Sequence, residues 1–299
     1  MYRRKKMKKM FKIFVVLVVS LSLFACSTKS EKPTIRIGTK TFTESLIVGE
    51  LYALALEDAG FNVERKFNIA GSVVHSALIN DEIDMFPEYT GTGLLSILKM
   101  ELVSDPKEVY NIVKKEYAEK FNVTWLKQSN ANDSQGLVIR TELAKELGIY
   151  TISDLQEKSS QIRFVSQGDF EEREDGIPGL EKIYGEFNFK SIKVYDNGLK
   201  YQILENNEGD VSPAYTTEGP LVEKEKFTVL EDDKQFWPPY YLTPIIHTEI
   251  LDKNPEIEEI LNRVTEKLDT ETMINLNAKV DIDKEEYEEV AKEFYNSIK

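Results

Sequence analysis

The chain is short of the residues that carry chemistry. Among 299 residues it has one cysteine, Cys26, and two histidines, His75 and His247. A lone cysteine excludes an intramolecular disulfide, so stability has to come from a hydrophobic core. The histidines lie far apart, and neither stands in a metal-ligand spacing such as H-E-x-x-H. His75 reads as a helix residue and His247 as the end of a strand, in packing or surface roles. There is no G-x-S-x-G elbow, no P-loop and no G-x-G-x-x-G after a strand. Gly91-Thr92-Gly93 is too short to cradle a phosphate. No metal, cofactor or catalytic group is expected, and neither a repeat nor a low-complexity tract is read.

Long apolar runs are also missing. Residues 13–24 form an apolar stretch, short of the roughly 20 residues a spanning helix needs. Residues 1–12 before it carry seven basic side chains and no acid, the pattern of a secretory signal. Leu23-Phe24-Ala25-Cys26 resembles the bacterial lipoprotein cleavage box. That implies removal of 1–25, a lipid on Cys26, a tether over 26–33, and an extracytoplasmic protein anchored to the outer face of the cell membrane. Loss of the seven leader cations takes the formal charge from −14 to −21, which argues against nucleic acid and anionic lipid as partners.

Hydrophobic periodicity then alternates between strand and helix. Residues 34–38 read as a strand, and Thr41 with Glu44 has capping-box spacing ahead of a helix that Gly60 stops. Residues 61–67, 83–86, 123–126, 136–139, 162–165, 191–195 and 242–246 read as further strands, with another near Val211. Helices are read near 72–79, 93–99, 108–120, 141–147, 153–158 and 178–184. Three amphipathic helices fill 255–299. The pattern restarts after the strand at 136–139, so an α/β protein of two lobes is expected, each a mixed, mainly parallel sheet flanked by helices.

Three aromatic segments stand out, at 84–93, 212–217 and 236–241. All are read as turns, and loops beside strand ends are where α/β proteins hold ligands. Converging rings with few reactive groups among them point to binding rather than catalysis.

Ile37-Gly38-Thr39-Lys40-Thr41-Phe42-Thr43-Glu44, Pro87-Glu88-Tyr89-Thr90-Gly91-Thr92, Arg173-Glu174-Asp175-Gly176-Ile177-Pro178-Gly179-Leu180 and Pro238-Pro239-Tyr240 resemble four signature stretches of the substrate-binding proteins of osmoprotectant ABC importers. The resemblance covers nearly all of 34–299. It implies the type II periplasmic-binding-protein-like fold, with lobe I from 34–136 plus 243–299 and lobe II from 137–242. It also implies a small quaternary ammonium ligand (glycine betaine, carnitine, choline or a related betaine) and ABC permease subunits as partners. Such a cation has no N–H to donate, so ring faces must surround it. The matching rings are Tyr89, Tyr215 and Tyr240. Where the family carries a fourth tyrosine this chain has Gln135, whose amide can bond a polar ligand group. Ergothioneine is one alternative ligand of that kind. Trp237 and Tyr241 are candidates to close the open side. Lys40 and Arg173 match the positions that meet a ligand carboxylate, Thr92 offers a hydroxyl, and Asp133 a carbonyl or charge. Two other classes are a secreted hydrolase, which needs an unrecognised carboxylate pair, and a structural surface lipoprotein, which leaves the aromatic segments unexplained.

Overall fold

A computed structural model describes residues 32–168 and 170–299. The expected leader at 1–25, the lipidation site Cys26 and the tether up to residue 31 lie outside the described residues.

The first lobe runs β1 (Thr34–Gly38), α1 (Thr43–Asp58), β2 (Asn62–Lys66), α2 (Val74–Ile79), β3 (Met85–Tyr89), a π-helical turn (Thr92–Ile97), α3 (Pro106–Phe121) and β4 (Val123–Trp125). The second runs β5 (Gln135–Arg140), α4 (Thr141–Leu147), α5 (Ile152–Lys158), β6 (Arg163–Gln167), α6 (Ile177–Tyr184), β7 (Ser191–Tyr195), α7 (Lys200–Glu205), β8 (Val211–Tyr215) and β9 (Phe227–Val229). The chain then returns to the first sheet as β10 (Leu242–His247). It ends in α8 (Thr248–Lys253), α9 (Glu256–Thr265), α10 (Thr270–Asp281) and α11 (Tyr287–Ile298).

Local signals account for most of these elements. Helix α1 buries Ile47, Val48, Leu51, Tyr52, Ala55 and Leu56 at helical spacing and is followed by Gly60 at φ +86°. Helix α3 starts with Pro106 after Asp105, whose carboxylate accepts the Glu108 N–H at 2.8 Å, and ends on a left-handed Asn122. Among the described residues no helix is long and apolar enough to cross a membrane.

Several details differ from the sequence reading. The Thr41–Glu44 capping box does not form: α1 starts at Thr43 with Phe42 as an uncapped N-cap, because Glu44 is drawn inward to buried partners. Residues 87–89 and 212–215, read as turns, belong to strands buried in their sheets except at the exposed Tyr215. Helix α7 and strand β9 are too short to show a period.

The sheets have the orders β2-β1-β3-β10-β4 and β7-β6-β8-β5-β9. In each, four strands run one way and one runs against them, β10 in the first and β5 in the second. Both reversed strands follow a crossing between the lobes. The crossings bond to each other, Asp133 N–H to the Tyr240 carbonyl at 3.0 Å and Leu242 N–H to the Ala131 carbonyl at 3.1 Å.

The fold also exposes a short repeat that the linear reading missed. Asp84-Met85-Phe86-Pro87-Glu88-Tyr89-Thr90 and Asp210-Val211-Ser212-Pro213-Ala214-Tyr215-Thr216 share D-x-x-P-x-Y-T and form equivalent strands, β3 and β8. Each leading aspartate holds an arginine on the adjacent strand. Asp84 Oδ2 accepts the Arg36 backbone N–H at 2.7 Å, and Asp210 Oδ2 accepts that of Arg163 at 2.8 Å. Helices α1, α9, α10 and α11 cover one face of the first sheet, while α2 and α3 pack around Phe86, Tyr117 and Trp125 on the other.

Candidate functional site

A cavity of about 540 Å³ opens between the two sheets. The first lobe supplies Lys40, Phe42, Thr43 and Glu44 from the start of α1, Tyr89 from the end of β3, Thr92 and Ser96 from the π-helical turn, and Asn277 and Asp281 from α10. The second supplies Tyr215, Thr217 and Glu218 at and after β8, and Arg173 and Asp175 ahead of α6. Asp133 and Tyr240 come from the crossings, and Gln135 opens β5. Tyr89, Tyr215 and Tyr240 thus line one cavity, although Tyr89 stands more than a hundred positions from the other two, together with Thr92, Lys40, Arg173, Asp133 and Gln135.

The three rings are held differently. Tyr89 is 3% exposed; its hydroxyl donates to Glu44 Oε1 at 2.8 Å and its ring packs 6.1 Å from Phe42. Tyr215 is 48% exposed and has no such anchor. Tyr240 lies against Gly91, where a Cβ would fall 2.7 Å from its ring, so the glycine lets the ring approach the end of β3. Burial raises all three phenol pKa values, that of Tyr240 to about 12. The rings therefore stay uncharged at neutral pH.

Much of the charge in the cavity is arranged in pairs. Lys40 Nζ sits 2.5 Å from the buried Glu88 Oε1 and 5.0 Å from the centre of the Tyr89 ring. Arg173 donates through Nε and Nη2 to the two oxygens of Asp175, at 2.7 and 2.5 Å. Gln135 Nε2 donates to Asp175 Oδ2 at 2.8 Å. Burial opposes ionisation of Asp175, but the bonds from Arg173 and Gln135 outweigh it and hold the carboxyl below its ordinary range.

Glu44, Asp133 and Asp281 have no ion-pair partner among the described residues. Glu44 accepts from Tyr89 and, at 3.0 Å, from Asn277 Nδ2. Asp133 accepts from Thr217 Oγ1 at 2.7 Å. Burial pushes both carboxyls up, and for Asp133 the nearby Glu44 charge pushes further. Asn277 bridges the lobes, since Nδ2 also reaches the Thr217 carbonyl at 2.8 Å. Its Oδ1 is buried without a hydrogen-bond partner among the described residues.

Two expected wall residues are elsewhere. Trp237 is 5% exposed in the core of the second lobe, where its indole N–H donates to the Asp175 carbonyl at 2.9 Å. It supports the Arg173–Asp175 loop from behind. Tyr241 bonds Thr90 through its main chain, N–H to Oγ1 at 3.0 Å and carbonyl from N–H at 3.1 Å, and is not among the residues lining the cavity. Both sit beside Tyr240 in sequence, but the pleat and the turn send them to other surroundings. The sequence reading also missed Glu44, Asp175, Thr217 and Asn277. Glu44 and Asp175 lay inside quoted signature stretches, whereas nothing local marks Asn277.

Comparison with known proteins places the chain. The profile of OpuAC, the substrate-binding domain of the ABC-type glycine betaine transport system, matches residues 33–297. The chain is 35% identical over 286 residues to the ergothioneine transport permease/ergothioneine binding protein EgtU of Helicobacter pylori, covering 95% of this chain and 51% of that protein. It thus spans about half the length of that relative. It is also 35% identical over 297 residues to the carnitine transport binding protein OpuCC of Listeria monocytogenes, covering 96% of each. A crystal structure described as a glycine betaine/carnitine/choline ABC transporter aligns with a TM-score of 0.84 at 29% identity, covering 88% of this chain and 98% of that one. The chain therefore belongs to the family of substrate-binding domains of ABC-type glycine betaine transport systems.

Proposed function

We propose that this chain captures a quaternary ammonium solute outside the cytoplasm and presents it to the permease of an ABC importer, held at the membrane by a lipid on Cys26. The observation that carries this reading is the meeting of Tyr89, Tyr215 and Tyr240 on one cavity with the carboxyl groups of the buried Glu44 and the half-buried Asp133. Ring faces and carboxylates both favour a cation that cannot be hydrogen-bonded. Lys40 and Arg173 stand on the same cavity and serve the anionic end of a betaine, Arg173 through its planar fork. Three rings at about 0.5–2 kcal/mol each, with one charged anchor, approach the roughly 8 kcal/mol of micromolar binding. In this reading the chain does no chemistry, and ATP hydrolysis falls to other subunits.

A second ligand reading rests on Gln135. It stands on the main cavity and also on a neighbouring recess of about 220 Å³ shared with Arg173 and Tyr215. A trimethylammonium amino acid with a longer polar tail, such as ergothioneine, suits that extension. Calorimetric titration against glycine betaine, carnitine, choline, proline betaine and ergothioneine tests both readings. Saturable binding of at least one is expected, and ergothioneine binding that weakens on Gln135→Tyr supports the second. Failure of all five to bind overturns the proposal.

A further inference from the structure

The buried Glu44 and the half-buried Asp133 are acids on one cavity, and their side-chain hydrogen bonds among the described residues come from neutral groups. Tyr89 and Asn277 serve Glu44, and Thr217 serves Asp133. The cations nearby are matched to other acids: Lys40 to Glu88, Arg173 to Asp175, and Lys200 to Glu218 at 2.5 Å. Asp281, at the rim on α10, accepts the Thr43 hydroxyl at 2.6 Å. Neither Glu44 nor Asp133 has an ion-pair partner among the described residues. The unpartnered Asn277 Oδ1 beside them adds a further acceptor that the chain does not satisfy. The wall of this cavity thus holds more negative character than its own cations balance.

Two uncompensated charges in such a space are costly, and a shared proton relieves the cost. A permanently charged ammonium does the same work as the proton. We infer that Glu44 and Asp133 read the charge of the ligand: the pair holds an exchangeable proton in the empty cavity and releases it to solvent when a fixed cation enters. No bond to the ligand is made or broken; the ligand brings one positive charge and the proton carries one away. Glu44 is the residue through which this reaches the cage. When protonated it can donate to the Tyr89 hydroxyl, and when ionised it accepts from it, which makes the Tyr89 ring more electron-rich as the cation arrives. Surrounding charges pull in both directions on Asp133, since Glu218 raises its pKa and Lys40 lowers it. Tyr89, Tyr215 and Tyr240 on the same cavity stay neutral, and Asp175 is held ionised by Arg173 and Gln135.

The inference rests on the cavity being the binding site proposed above. Its test is calorimetry on the full chain with choline, glycine betaine and the uncharged carbon isostere 3,3-dimethylbutan-1-ol, in buffers of different ionisation enthalpy from about pH 5 to about pH 8. Choline is expected to release up to one proton, with affinity rising by up to about tenfold per pH unit where release is seen. The isostere, if it binds, should release none. Glu44→Gln and Asp133→Asn should each reduce both the release and the slope. Choline or betaine binding with buffer-independent heat at every pH overturns the inference while leaving the binding site intact, and needs no variant. Release that persists unchanged in both variants overturns the assignment to this pair. Absence of binding by either ammonium compound at every pH overturns this inference and the site together.

Discussion

The two lobes answer the same sequence motif with different degrees of order. Asp84 and Asp210 each start a D-x-x-P-x-Y-T strand, each holds an arginine of the neighbouring strand, and each strand ends on a tyrosine at the cavity. In the first lobe that tyrosine is Tyr89, buried and tied to Glu44. In the second it is Tyr215, half exposed. One wall of the cavity is thus set before any ligand arrives, and the other has a ring still to be covered. A preset ring loses little freedom on binding, whereas an exposed ring must be immobilised and desolvated.

This comparison can be broken first at the aspartates. Asp210 accepts from Arg163 and from Arg140 Nη2 at 2.9 Å, while Asp84 serves Arg36 alone. Asp210→Ala leaves two guanidinium groups without their acid and should cost about 3 kcal/mol, and Asp84→Ala less, by urea unfolding. Equal losses would show that the repeat is equivalent in energy as well as in shape. The Asp210 carboxyl is held below its ordinary range by Arg163 and Arg140 against the effect of burial. Its contribution is therefore present above the unfolded-state pKa of about 3.9 and is lost as pH falls through the lower folded value.

The tyrosines come next. Tyr89→Ala removes a ring and leaves buried Glu44 short of a donor, so ligand affinity should fall by about 2–3 kcal/mol, roughly 30- to 150-fold. Tyr215→Ala should cost about 1 kcal/mol, near fivefold. Calorimetry that finds Tyr215→Ala the more damaging would reverse the roles assigned to the two walls. A smaller effect is expected at Gly91→Ala, whose new Cβ meets the Tyr240 ring. Binding should weaken by a few-fold, about 1 kcal/mol, with the unfolding midpoint nearly unchanged.

The smallest effect concerns stability without ligand. Glu44 is an acid whose folded pKa is raised by burial, so its penalty is present above that value and disappears as pH falls below the unfolded one. Glu44→Gln should raise the thermal midpoint at about pH 8, and the gain should shrink towards about pH 5. A midpoint lowered equally at both values would show that Glu44 acts only as a hydrogen-bond acceptor.

The alternation of strand and helix was legible locally, because it depends on spacing within a few residues, whereas the caps at Asp105 and Asn122 were not read. The site residues were legible only in part. Tyr89, Tyr215 and Tyr240 stood out as rings in Gly- and Pro-bounded segments. Glu44 has the spacing of a capping residue, because a helix start and an inward carboxylate look alike at i+3. Trp237 looked like a wall residue, yet its indole turns into the core to hold Asp175. Asn277 reaches Glu44 across 233 positions, and nothing in its own neighbourhood of sequence marks that.

The sequence by itself determined the alternation of elements and the aromatic supply, since these follow from composition and short-range periodicity. Only the tertiary structure decided which acids are paired and which are left facing the cavity. That depends on crossings and C-terminal helices that bring residues hundreds of positions apart within hydrogen-bond reach, and on the burial that gives their charges weight.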